Sequence, residues 1–239
     1  MGSERISGIV IGHVDLGEAD RIVRLLTAEE GRISVLARGA RSSRKRFGGL
    51  LDLGMRVRIE RARGRGKLDR IADVELVDAV DRARTEIERI ALLAYGCELV
   101  GNLAGEGMPS RRLAQLLVVW LDLLEGEARP EVASRQSLEG KALTFAGLLP
   151  SLTTCSACGL PLEGRAVLAF EVGPMHEGCG QGQPVAQGGL ARLEELRRTP
   201  LFETPGVVPS PAGWLLADFA QHQLGSALKS RVLLAGLTG

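Results

Sequence analysis

The hydrophobic period of this 239-residue chain changes once, near Asp78, and that change limits the fold more than any other feature. Before it, apolar residues recur with the period of strands; beyond it, they recur with the period of helices. Ile9, Val10, Ile11 and Val14 suggest a first strand and Asp20 to Leu26 a second. Arg32 to Arg38 suggests a third, after the turn Glu29-Glu30-Gly31. In the fourth, Met55, Val57 and Ile59 alternate with Arg56, Arg58 and Glu60, which predicts one buried face and one mostly cationic face. Gly64 and Gly66 mark a hairpin turn, and Leu68 to Leu76 reads as the returning strand. Five short strands in succession favour a small barrel, and the five-stranded OB-fold is the expected form.

Past Asp78, Ile87, Ile90, Ala91, Ala94, Tyr95, Leu99 and Val100 predict one apolar stripe of a helix that ends within Gly101 to Gly107. Pro109-Ser110 opens a second helix, with Pro expected at a first helical position. Ser134 to Leu148, Gly189 to Arg198 and Pro211 to Leu224 read as three more. The expected fold class is therefore α+β. An OB-fold barrel over residues 1–79 precedes a helical domain over 80–239, interrupted by a cysteine-bearing insertion at about 152–185.

That insertion carries Cys155-Ser156-Ala157-Cys158 and, after 17 residues, His176-Glu177-Gly178-Cys179. A two-residue gap lets both ligands of a knuckle reach one point, and a hairpin between the knuckles completes a tetrahedron. Thiolate and imidazole ligands at ~2.0–2.3 Å suit Zn²⁺. Cys155, Cys158, His176 and Cys179 would fill all four positions, so the zinc would be structural. A Cys155–Cys158 redox pair and a knuckle that keeps its fold without metal are the alternatives. Cys97 lies on a predicted helix stripe and reads as a small core residue.

Charge becomes informative only when it is placed along the chain. The formal total is +1, yet Arg32 to Arg70 contains thirteen Lys/Arg and three acids, a local +10 that leaves −9 elsewhere. Such asymmetry is expected of a polyanion-binding surface. The candidate DNA-binding residues are Arg38, Arg41, Arg44, Lys45, Arg46, Arg56, Arg58, Arg61, Arg63, Arg65 and Lys67. Between Met1 and Asp78 the only aromatic is Phe47, whereas single-strand binders usually stack bases on aromatic side chains. Affinity should then come from phosphates and counterion release, with little sequence preference, leaving bases accessible for pairing.

No GxxxxGK[ST], GxSxG or HExxH pattern is present, and His13 and His222 read as structural or surface residues, so no enzyme is expected. The amino-terminal residues have no apolar h-region and Leu116 to Leu124 is the longest apolar stretch, so a cytoplasmic protein without a membrane span is expected.

Taken together, these residues resemble a family, the bacterial recombination mediator RecO. The resemblance is carried by Gly8-Ile9-Val10-Ile11, Gly17-Glu18-Ala19-Asp20-Arg21-Ile22-Val23 and Thr27-Ala28-Glu29-Glu30-Gly31-Arg32-Ile33. It continues through Ala37-Arg38-Gly39-Ala40-Arg41, Gly48-Gly49-Leu50-Leu51, the two knuckles and Leu228-Lys229-Ser230-Arg231. It departs where His176 replaces the usual third Cys and where Gln223-Leu224-Gly225 stands for a common His-Leu-Gly. The resemblance implies an OB-fold, a helical bundle, a zinc-ribbon-like insertion and a role in recombinational repair. That role comprises binding single- and double-stranded DNA, annealing complementary strands and assisting recombinase loading. The partners it implies are RecR and the C-terminal tail of single-strand-binding protein, with a nucleoid-associated location. A protein-binding adaptor whose barrel meets an acidic partner and not DNA is the alternative reading.

Overall fold

Strand pairing closes the amino-terminal residues into a barrel. The structure, a computed structural model, describes residues 3–64, 66 and 68–238. The strands are β1 (Glu4–Leu16), β2 (Asp20–Thr27), β3 (Gly31–Ala37), β4 (Arg56–Ala62) and β5 (Arg70–Asp78), and their order around the barrel is β1-β2-β3-β5-β4. β1 is long enough to pair antiparallel with both β2 and β4, with a register shift between Val10 and Gly12. Closure is completed by a parallel contact, Leu36 of β3 beside Arg70 of β5. This is the OB-type arrangement expected from the five strands.

The inward positions follow the sequence alternation. Val10, Val23, Leu25, Ile33, Val35, Val57, Ile59, Ile71 and Val74 form the barrel core, with Met55 packed against it. Between β3 and β4 the polar run forms a single helical turn, α1 (Arg44–Phe47), which delivers Phe47 into that core. At the β4–β5 turn a Cβ on Gly64 would lie 2.0 Å from the Leu68 carbonyl oxygen, so the tight return requires glycine.

By packing, the chain divides into two compact units, residues 1–125 with 229–239, and residues 126–228. The first unit holds the barrel with α2 (Ile87–Leu103), α3 (Arg111–Glu125) and α7 (Lys229–Thr238). The single-stripe expectation for α2 is corrected by its neighbours: β1, α3 and α7 all pack on it. Leu92, Leu93, Gly96 and Cys97 are buried as well as Ala91, Tyr95, Leu99 and Val100, whereas Ile87 and Ile90 are exposed. Pro109 precedes α3 by two residues and is not its first residue; the first helical hydrogen bond runs from the Ala114 amide to the Ser110 carbonyl. α7 was not expected. Its first amides are satisfied from α2, because the Glu98 carboxylate accepts from the Lys229 amide at 2.9 Å and the Ser230 amide at 2.8 Å.

In the second unit α4 (Val132–Phe145) is the central helix, with α5 (Gly189–Arg198) and α6 (Leu215–Leu224) against it. α4 buries Ser134, Arg135, Gln136, Ser137 and Glu139. Arg135 pairs with Glu139 at 2.5 Å and lies over the Trp214 ring, while Gln136 exchanges hydrogen bonds with the Ser210 backbone. A helix tolerates buried polar groups where they are partnered in this way. The insertion is a three-stranded sheet, β6 (Ala166–Ala169), β7 (Gly173–His176) and β8 (Gln183–Val185), in the order β7-β6-β8.

Candidate nucleic-acid interface and metal centre

The two knuckles converge. The first is a turn in which the Cys155 amide donates to the Leu160 carbonyl and the Gly159 amide to the Cys155 carbonyl, with Gly159 at φ +76°. The second turns through the Cys179 amide donating to the His176 carbonyl. Between them, β6 and β7 pair Ala166 with His176 and place Val167 and Met175 against Cys155. One ligand atom from each of Cys155, Cys158, His176 and Cys179 lies within 4.8 Å of all the others.

Local chemistry suits a cation. His176 Nε2 donates to the Pro161 carbonyl at 2.9 Å, which leaves Nδ1 as a lone-pair donor facing Cys158 Sγ at 3.5 Å and Cys179 Sγ at 3.7 Å. Desolvation raises the Cys155 thiol, but amide hydrogen bonds from Cys158, His176 and Ala157 bring it down to about 6. The Cys179 thiol is pushed up to about 11, first by its hydrogen bond with Cys158 and then by desolvation and the neighbouring sulfurs. Three sulfurs this close do not all ionise unaided, and a divalent ion supplies the charge that lets them. The Cys155, Cys158, His176 and Cys179 set therefore fits a metal ion, and its thiolate–imidazole composition is one that zinc accepts. Cys97 is of another kind: it is fully buried, and desolvation raises its thiol to about 12.

The barrel cations divide into two groups. Arg56 pairs with Asp78 at 2.9 Å and with Asp122 of α3. Arg58 pairs with Glu75 at 3.3 Å. Arg61 meets Glu4 at 2.6 Å, Glu30 at 2.8 Å and Asp69 at 3.8 Å, and its guanidinium pKa is raised, first by the Glu30 hydrogen bond, against partial burial. The cations on the outer face of β4 are thus matched across the ladder, where Arg56 and Arg58 lie opposite Asp78 and Glu75 of β5, and Glu60 opposite Asp73 adds further negative charge to that face. Arg41 pairs with Asp15 at 3.4 Å, and Arg46 donates to the Ile71 and Ala72 carbonyls from above the Phe47 ring.

Arg38 and Arg63 are exposed and have no ion pair among the described residues. Two further arginines join them that were not among the expected DNA-binding residues. Arg24 projects outward from β2 opposite Ser34, and Arg70 stands outward beside Leu36. Arg24, Arg38 and Arg70 share the outer face of β2, β3 and the start of β5. Alternation with the inward Val23 and Leu25 was the signal that marks Arg24. Arg65 and Lys67 lie outside the described residues, as do the side chains of Arg44 and Lys45. His13 is exposed, and His222 Nε2 lies 3.3 Å from Glu171 Oε1. Among the described residues no helix is long and apolar enough to cross a membrane.

An OB-type barrel with unmatched arginines on its outer face, combined with helices and a Cys₃His ribbon, defines a class of barrel proteins with a knuckle insertion. Within that class the chain belongs to the recombination protein O family: residues 1–80 match "Recombination protein O N terminal" and residues 84–232 match "Recombination protein O C terminal". It is 37% identical over 248 residues to the DNA repair protein RecO of Anaeromyxobacter dehalogenans (strain 2CP-1), covering 98% of this chain and 96% of that one. It is also 37% identical over 231 residues to that of Myxococcus xanthus, covering 93% of each. With that of Geobacter sulfurreducens the identity is 34% over 243 residues, covering 98% of each.

Proposed function

We propose that this protein is a recombination mediator in DNA repair, a role without catalysis. It binds single- and double-stranded DNA through phosphates and without sequence specificity. It anneals complementary strands and assists recombinase loading on strands coated with single-strand-binding protein. RecR and the C-terminal tail of single-strand-binding protein are its protein partners, and it works in the cytoplasm at the nucleoid. The family and the names of its relatives support this reading.

One observation carries it. Arg24, Arg38, Arg63 and Arg70 are exposed without ion pairs among the described residues, while Phe47, the only aromatic of the barrel, is 3% exposed. A strand held on such a surface is gripped by its backbone, since no Phe, Tyr or Trp ring is offered for stacking, and its bases stay free to pair. A structural zinc on Cys155, Cys158, His176 and Cys179 holds the ribbon.

Annealing of complementary oligonucleotides coated with single-strand-binding protein tests the proposal. Acceleration by this protein is expected. Absence of both acceleration and DNA binding at moderate salt would refute it in favour of the adaptor, and strand cleavage would refute it in favour of an enzyme.

A further inference from the structure

Asp15 stands at the end of the β1–β2 hairpin with two guanidinium groups on one carboxylate. Its Oδ1 accepts from Arg21 Nε at 3.0 Å, and its Oδ2 lies 3.4 Å from Arg41 Nε. The backbone that carries the two cations is paired without help from the Asp15 carboxylate, although Asp15 and Arg21 are themselves cross-strand neighbours of β1 and β2. Arg21 is fixed in β2 opposite Ala37. The Arg41 amide donates to the Ala19 carbonyl at 3.0 Å, its Nη1 donates to the Gly17 carbonyl at 2.9 Å, and the Gly39 amide donates to Asp20 Oδ1 at 2.8 Å. Both arginines also line a cleft of about 220 Å³, together with Gly48, Gly49 and Asp52.

Two guanidiniums sharing one carboxylate keep a net positive charge, and their forks suit any singly charged group with two equivalent oxygens. A phosphodiester is such a group. We infer that Arg21 and Arg41 form a binding site for a DNA backbone phosphodiester, and that the Asp15 carboxylate occupies it as a built-in competitor until the strand displaces it. The inference rests on the proposed DNA binding and assigns it a site with a regulating acid. Displacement requires only a side-chain rotation, because the backbone around both arginines is already pinned. Asp15 and Arg41 are about half exposed, so the pairs to be broken are screened and weak.

The test is binding of an oligo-dT strand at 0.15 M salt by the full chain. Asp15→Asn removes the charge and keeps the shape, and it should tighten binding by about three- to fivefold. Glu18→Gln removes an exposed acid from the same turn and should change affinity by less than about twofold. Arg21→Ala with Arg41→Ala should weaken binding, flatten the salt slope by about 0.7 for the one phosphate lost, and abolish the gain from Asp15→Asn when the three are combined. Thermal melting of each variant separates these effects from misfolding. If the wild type binds the strand and Asp15→Asn gives no gain, or no more than Glu18→Gln, the inference is overturned while the DNA-binding proposal stands. The same follows if the gain survives without the two arginines. If millimolar inorganic phosphate at constant ionic strength erases the gain, the site takes a free anion and the assignment to a diester falls. A wild type that binds no DNA sinks the mediator proposal and this site with it.

Discussion

Replacing Arg38 and Arg63 by alanine should flatten the salt dependence of single-strand binding, whereas replacing Arg58 and Glu75 together by glutamine should leave it unchanged. The four residues belong to the same barrel, and Arg38, Arg58 and Arg63 to the same basic window. They differ in what faces them. Arg38 and Arg63 are exposed with no ion pair among the described residues, but Arg58 has Glu75 at 3.3 Å on the adjoining strand. Each phosphate neutralised on a single strand contributes about 0.7 to the slope of log K against log salt, so losing two contacts removes about 1.4. Extrapolated from 1 M salt, where the electrostatic part vanishes, to 0.15 M, that change is roughly a tenfold loss of affinity. The Arg58/Glu75 change is charge-neutral and removes a pair already matched inside the protein. Fluorescence anisotropy of a labelled oligo-dT strand between 0.05 and 0.4 M salt, for the wild type and both variants, reads the three slopes. Equal flattening by both variants would refute the reasoning, since it would mean that the β4–β5 pairs open to phosphates as readily as the free arginines engage them.

Four other outcomes follow from the packing. Cys158→Ser should lose zinc, measured as metal per chain by atomic absorption, while Cys97→Ser, at a fully buried thiol outside the cluster, should retain it. Gly96→Ala should destabilise the first unit by about 1–3 kcal/mol in denaturant unfolding, because a Cβ there would lie 2.2 Å from Trp120 Nε1 and α2 and α3 would have to part. Glu98→Ala should cost about 1–2 kcal/mol and speed amide exchange at Lys229 and Ser230, whose amides it accepts; unchanged exchange there would contradict the capping role. The Glu194 carboxyl pKa is lowered, first by its hydrogen bond with Arg197 and further by Arg198, against some desolvation. Its folded value lies below its unfolded one, so its contribution is complete at neutral pH and is lost as pH falls through the carboxylate range. Glu194→Gln should therefore lower Tm at pH 7 and lose that effect at pH 3.

The barrel was legible because its strands obey a local rule. Val57 and Ile59 alternate with Arg56 and Arg58, and Val23 and Leu25 flank Arg24, so inward and outward positions are written residue by residue. The knuckles were legible for the same reason, since a two-residue gap between ligands is a local geometry. What escaped depends on partners far along the chain. α7 is a short helix whose first turn is capped by Glu98, 131 residues from Lys229, and no pattern around Lys229 announces that cap. α2 looked one-sided because Ile87 and Ile90 are in phase with its buried residues, yet both are exposed, while strand β1, the following helix α3 and the carboxyl-terminal α7 bury its other faces.

Charge illustrates the same limit with functional consequence. A window from Arg32 to Arg70 is +10 along the chain, but it closes just before Asp73, Glu75 and Asp78. The antiparallel ladder folds those three acids back onto Arg56, Arg58 and Glu60, and Glu4 and Glu30 reach Arg61 from outside the window. The field that a polyanion meets is set by neighbours across strands, so one side of the barrel has no excess of positive charge and its arginines are engaged in holding β1, β4, β5 and α3 together. The side formed by β2, β3 and the start of β5 keeps Arg24, Arg38 and Arg70 without a matching ladder of acids. A surface divided in this way gives a strand one preferred track around the barrel. Reversing the charge of Arg24 should therefore weaken binding to every sequence alike, although Arg24 lies outside the basic window altogether; retention of full affinity by Arg24→Glu would place the track elsewhere.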